Sequence, residues 1–160
     1  MDYRVGFSKD IHKLVENRKL IIAGVVIPFD KGELAHSDGD VLFHALAESI
    51  LGALALGDLG THYPDTSDST LNMDSSVIVK EVVEKMEAKG YEVNNVDIFV
   101  SLEKPKLKDY IPSIRSNVAK LLKVELDQVS IKAGTNEKLG PVGEGKAIEA
   151  SSYIMLRKKK

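Results

Sequence analysis

The chain has no cysteine. Disulfides, thiol nucleophiles and cysteine-based zinc sites are therefore excluded, and a bound metal would have to rely on histidine and carboxylate. A reducing, cytoplasmic setting is the default expectation. Nor is there an excess of either charge: 22 basic and 24 acidic residues leave a formal net charge of -2. No global field draws such a chain to nucleic acid or to an anionic membrane, so an anionic ligand needs a local site. The N-terminal MDYRVGFSKDIH lacks an apolar signal core, and the longest apolar stretch, broken by His44 and Glu48, is too short and too polar to span a bilayer. Internal repeats, Walker patterns and dinucleotide fingerprints are also missing, and the closing RKKK reads as a solvated tail. Neither nucleic acid nor membrane is expected as a partner.

What is present is enough apolar material, 43% of 160 residues, for one sizeable core, so a single domain over 1–160 is expected. Short β-branched runs predict strands at 3–8 and 20–28, the second turning at Ala23-Gly24. Apolar periodicity predicts helices at 40–56, 74–89 and 108–122, with further strands at 93–102, 128–133 and 147–156. That mixed order fits an α+β fold: a mixed four-stranded sheet with helices on one face, plus a small hairpin.

One stretch conflicts with its own environment. In LAHSDGDVLFHALAESILGALALGD (34–58) an apolar helix carries Asp40, His44 and Glu48 four residues apart, on one face. Burying unpaired ionisable groups costs several kcal/mol, on the order of 3–5 for a broken pair, so something must compensate them. Asp10 and His12, at i and i+2 of a strand, point to one side. Two histidines and an aspartate are a ligand set for a catalytic Zn²⁺ that leaves one position open, and Asp10, His12 and His44 are the candidate set; the alternative is a core histidine paired to a carboxylate. Glu48 is either an acceptor behind His44 or a solvated side chain; with His44 as ligand, Asp40 and Glu48 are expected to support the metal site. In HSDGD, Ser37, Asp38 and Asp40 are alternative helix caps, while a loop at a helix N-terminus with His36 and Ser37 also suits a phosphate. The polar loops 57–68 and 133–147 are candidate ligand loops or plain connections.

Taken together, RVGFSKDIH, IAGVVIP, KGELAHSDGDVLFHAL, LGALALGDLGTHYPDT, AKGYEVNNVD, EKPKL, IPSIR and KAGTNEKLG resemble the 2-C-methyl-D-erythritol 2,4-cyclodiphosphate synthase family over nearly the whole chain. The resemblance implies a homotrimer built around its sheets, with active sites between subunits, that converts 4-diphosphocytidyl-2-C-methyl-D-erythritol 2-phosphate to the 2,4-cyclodiphosphate and CMP. It implies one Zn²⁺ per subunit on Asp10, His12 and His44, with Asp10, Ile11 and His12 also beside the substrate. His36 and Ser37 would meet substrate phosphate, and His36 and Thr135 would stabilise the transition state. Asp58, Leu59 and Gly60, with Tyr63, Pro64, Asp65, Thr66 and Ser67, would hold the methylerythritol and ribose parts. Leu102, Glu103, Lys104, Pro105, Lys106, Leu107 and Lys108 would form the cytidine pocket. Gly134, Thr135 and Asn136 would contact the diphosphate, and Glu137 would bind a Mg²⁺ or Mn²⁺ bridging it. Lys9 and Glu144 depart from the family pattern, and a mutual ion pair between them is expected.

Overall fold

Alternation of side chains along the first strand organises the molecule. The computed structural model describes residues 1–160. Strand β1 runs over Tyr3–Glu16, well past the predicted end at residue 8, because it pairs antiparallel with β7 (Ala147–Lys158) from Tyr3↔Arg157 to Lys13↔Ala147. Between them in sequence come β2 (Leu20–Ile22), β3 (Val25–Ile27), β4 (Lys31–Glu33), α1 (Val41–Ala53), α2 (Leu59–His62), α3 (Ser75–Ala88), β5 (Tyr91–Ser101), α4 (Ile111–Leu122), β6 (Val129–Gly134) and the short α5 (Gly140–Gly143). The sheet order is β4-β1-β7-β5-β6, with β5 and β6 parallel and the other pairs antiparallel. The fold is α+β with a mixed sheet and a separate β2–β3 hairpin, and the sheet has five strands where four were expected. The extra strand is β4, three residues long, too short to leave a period-two signal and placed in the sheet by its edge pairing to Leu14–Glu16.

In β1, Gly6, Ser8, Asp10, His12 and Leu14 face the helices, whereas Val5, Phe7, Lys9 and Ile11 face outward. The helix that covers the inner face is α1. It is wedged between the sheet and α3, so Leu42, Phe43, Leu46, Ile50 and Leu51 are all buried around its circumference. Each contributes roughly 1.5–3 kcal/mol by leaving water. Close approach of α1 to β1 requires Gly6, where a Cβ would lie 1.9 Å from the Ser49 carbonyl oxygen. This contact brings His44, one turn in from the helix N-terminus, over Asp10 and His12.

Asp40 is not part of that cluster. It caps α1 by accepting from Phe43 N at 3.1 Å, and it accepts from Ala23 N at 3.0 Å and Gly24 N at 2.7 Å, pinning the hairpin turn to the helix. The expected support of the metal site by Asp40 is therefore corrected: its carboxylate is fully buried against backbone amides. Burial pushes its carboxyl up to about 6, against the pull of those amides.

Candidate metal centre and ligand clefts

The inner face of β1 and the start of α1 bring three ligand atoms together. Asp10 Oδ2 lies 2.9 Å from His12 Nε2 and 3.4 Å from His44 Nδ1, and the two imidazole nitrogens are 3.4 Å apart. A tetrahedral zinc with bonds of about 2.0–2.1 Å needs ligand atoms about 3.3–3.4 Å apart, so the observed triangle is of the right size. Chemistry agrees with size. His12 Nδ1 is 2.7 Å from the Gly39 carbonyl, which can only accept, so Nδ1 keeps its proton and Nε2 is the nitrogen that His12 can free for a metal. The position of this carbonyl requires glycine: residue 39 has φ +82°, and a Cβ there would meet Glu33 Cβ at 2.8 Å. Burial pushes the Asp10 carboxyl up, but hydrogen bonds and charge from His12 and His44 outweigh it and hold Asp10 far below the ordinary carboxylate range. Burial likewise opposes the His12 imidazolium, yet Asp10 raises that group above its usual value. An anionic oxygen facing two imidazoles is a cation's environment.

Around this cluster lies a cleft of about 360 Å³, lined by Asp10, His12, His36, Ser37, His44, Leu59, Gly60, Tyr63 and Asp65 among the expected residues, and by Leu34, Ala35, Glu48, Thr70 and Ile78 besides. Ile11, Asp58, Pro64, Thr66 and Ser67 do not line it. The Ile11 side chain belongs to the outward face and is exposed, as β alternation demands. Asp58 caps α2, accepting from Thr61 N at 2.9 Å and Thr61 Oγ1 at 2.7 Å. His36 Nε2 donates to the Ser67 carbonyl at 2.9 Å, which leaves Nδ1 as the nitrogen for a ligand. Glu48 reaches the cleft without hydrogen bonding to His44; that position is held by Ser75, whose Oγ is 2.8 Å from His44 Nε2. Nothing in the sequence around Ser75 distinguished it, 31 residues from His44.

A second cleft of about 360 Å³ opens where β5 and β6 end. Leu102, Glu103, Pro105, Lys106, Leu107 and Lys108 line it with Gly134 and Thr135, joined by Ile111 and Ala133, whereas Lys104, Asn136 and Glu137 stand outside. The Lys104–Pro105 peptide is cis. Asn136 N donates to Glu103 Oε2 at 3.2 Å, tying the two loops that form the cleft. Glu137 is exposed and is not grouped with other metal-ligating side chains, so the chain offers one carboxylate there, a donor set that suits Mg²⁺ only together with water and ligand phosphates.

The clefts share no residue, and His36 lines the first while Thr135 lines the second. Register places both at the same end of the sheet, Asp10 opposite Ala150, Ala150 opposite Val100, and Val100 opposite Ala133. Three strand spacings of about 4.8 Å separate the two ends of that line. The expected Lys9–Glu144 pair is absent: Lys9 lies 3.9 Å from Glu149 and Glu144 pairs with Lys146 at 2.8 Å. Glu149 is the outward neighbour of Lys9 on β7, while Glu144 follows the α5 turn beside Lys146.

The YgbB family model matches residues 3–157. The chain is 50% identical to the 2-C-methyl-D-erythritol 2,4-cyclodiphosphate synthase of Finegoldia magna, over 98% of each protein. It is 49% identical to the bifunctional enzyme IspD/IspF of Albidiferax ferrireducens, matching 99% of this chain but spanning only 38% of that longer protein. A solved structure of IspF from Plasmodium falciparum, a CDP complex, superposes with a TM-score of 0.87 at 36% identity, covering 99% of this chain and 98% of that one. With the match running from β1 to the end of β7, the chain belongs to the YgbB family.

Proposed function

We propose that residues 1–160 constitute a cyclodiphosphate synthase domain that acts in isoprenoid precursor synthesis, releasing CMP from 4-diphosphocytidyl-2-C-methyl-D-erythritol 2-phosphate and closing the 2,4-cyclodiphosphate. The observation that carries this reading is the convergence of Asp10, His12 and His44 in a cleft beside His36 and Ser37, in a chain half identical to named synthases.

Asp10, His12 and His44 would hold a Zn²⁺, and Glu137 would contribute a carboxylate to a Mg²⁺ or Mn²⁺. Divalent ions at these places would polarise phosphoryl oxygens and offset the charge of the leaving group. A 2-phosphate oxygen attacks the β-phosphorus, the bond from that phosphorus to the bridging oxygen of CMP breaks, and CMP leaves with the electron pair. The attacking oxygen is already anionic, so the chain needs no strong base; its task is to align the two phosphates against their repulsion. Ser37 donates toward the phosphates from one cleft, His36 does so from Nδ1 in its imidazolium form, its Nε2–H being taken by the Ser67 carbonyl, and Thr135 donates from the other. The second cleft takes the cytidine, its 102–108 loop offering backbone groups around a volume adequate for a nucleoside.

Because the clefts are separate in one chain, the complete site lies between subunits of a homotrimer. The outward sheet face supports this assembly: Tyr3, Val5, Phe7, Ile11, Phe99 and Tyr153 are each at least 40% exposed, and Phe7 stacks on Tyr153 at 4.6 Å. Such an apolar face is a protein contact rather than a solvent surface. The absence of cysteine suits a cytoplasmic enzyme, and no helix is long and apolar enough to cross a membrane.

Subunit mixing tests this reading. His44→Ala and Thr135→Ala proteins, each defective alone, recover CMP release when dissociated and reassembled together, since some mixed interfaces carry both intact halves. Absence of recovery from trimers shown to contain both variants would overturn it.

A further inference from the structure

A metal-binding histidine must present one nitrogen bare and keep its proton on the other. For His12 the Gly39 carbonyl settles which. His44 has no such carbonyl: its Nε2 lies 2.8 Å from Ser75 Oγ and 3.2 Å from Ser37 Oγ, and a hydroxyl can donate or accept. The choice is made one step further out. Ser75 Oγ is 2.5 Å from Asp38 Oδ1, and Asp38 also takes Asp40 N on Oδ1 and Ser75 N on Oδ2, both at 3.0 Å. A carboxylate so surrounded by donors accepts from the Ser75 hydroxyl as well. The single Ser75 proton is then committed, and toward His44 its oxygen can only accept.

We propose that Ser75, backed by Asp38, is the positioning residue that keeps the His44 proton on Nε2 and thereby presents Nδ1 to the metal. This deepens the reading of Asp10, His12 and His44 as a metal site and rests on it. Ser75 is completely buried as the first residue of α3, so water does not compete for the bond. The arrangement also frees Ser37: Gly39 N donates to its oxygen at 3.2 Å, while its own proton stays available to a phosphate. Ser75 stands at the end of the loop that roofs the cleft, and the loop is fastened beside it by Asn72 N to the His36 carbonyl at 2.8 Å and Asp38 N to the Met73 carbonyl at 3.0 Å. Seating of that loop therefore orients the metal ligand.

Two measurements on Ser75→Ala decide the matter, with the neighbouring Ser76→Ala as control. Long-range ¹H–¹⁵N NMR of the metal-free protein reads the tautomers directly: Ser75 competes for the His44 proton with Asp10, 3.4 Å from Nδ1, so the Nε2–H fraction seen in the parent and in Ser76→Ala falls in Ser75→Ala, with His12 unchanged. Competition with a chromophoric chelator reads zinc affinity, which falls about 10–100-fold in Ser75→Ala. An unchanged Nε2–H fraction together with unchanged zinc affinity would overturn the proposal. Parent protein that binds no zinc would instead refute the metal reading, and the tautomer measurement would still judge Ser75.

Discussion

Glu33→Gln should change how stability depends on pH. Glu33 is completely buried in β4; its Oε2 accepts from Ile21 N at 3.1 Å, and its Oε1 has no partner. Burial pushes its carboxyl up, the Ile21 amide pulls part of the way back, and the nearby Asp40 carboxylate adds to the rise, leaving it at about 9 against an ordinary 4.5. Between those two values the folded chain holds a proton that the unfolded chain has released. The contribution of Glu33 is therefore most favourable below the unfolded value and declines as pH rises through that window, by about 1.4 kcal/mol per unit. From pH 5 to pH 8 the loss is on the order of 4 kcal/mol, a large part of a typical domain's stability. Glutamine has the same shape and does not titrate. Urea denaturation at fixed protein concentration, at pH 5, 6.5 and 8, should show the variant's advantage growing steadily by that amount, contributions from other groups cancelling in the difference. Parallel pH profiles for the two proteins would refute the reasoning.

Gly6→Ala should destabilise by at least about 3 kcal/mol, the upper end for overpacking, because the intruding Cβ meets helix backbone that cannot rotate away; thermal unfolding checks it, and a change below about 1 kcal/mol would mean α1 rides further from the sheet. Phe7→Lys combined with Tyr153→Lys should yield a folded monomer in sedimentation velocity, whereas a persistent trimer would place the interface elsewhere. Thr135→Ala should lower kcat by roughly 10²-fold, as loss of one transition-state donor does, and an unchanged kcat would remove Thr135 from the chemistry.

The helices and long strands were legible because their signals are local. Alternation in β1 put Asp10 and His12 on one side, and their meeting with His44 followed from the helix lying over the strand. The same pattern could not fix the length of β1, since residues 9–16 are held by pairing with β7 and β4 rather than by their own apolar content. A spacing of four misassigned Asp40: it shares a helical face with His44 but precedes the first turn, where free amides claimed its carboxylate. Glu48 fitted the same spacing, yet the bond to His44 comes from Ser75, brought in by tertiary packing. Lys9 and Glu144 found nearer partners in Glu149 and Lys146, which register and turn geometry place beside them.

The most direct test of the proposed reaction is product analysis by ³¹P NMR with the cytidyl substrate, Zn²⁺ and Mg²⁺, using His44→Ala as control. The account predicts CMP and a cyclic diphosphate from the parent and neither from the variant. CMP with a linear phosphorylated product, or no turnover from a folded, zinc-loaded parent, would contradict it.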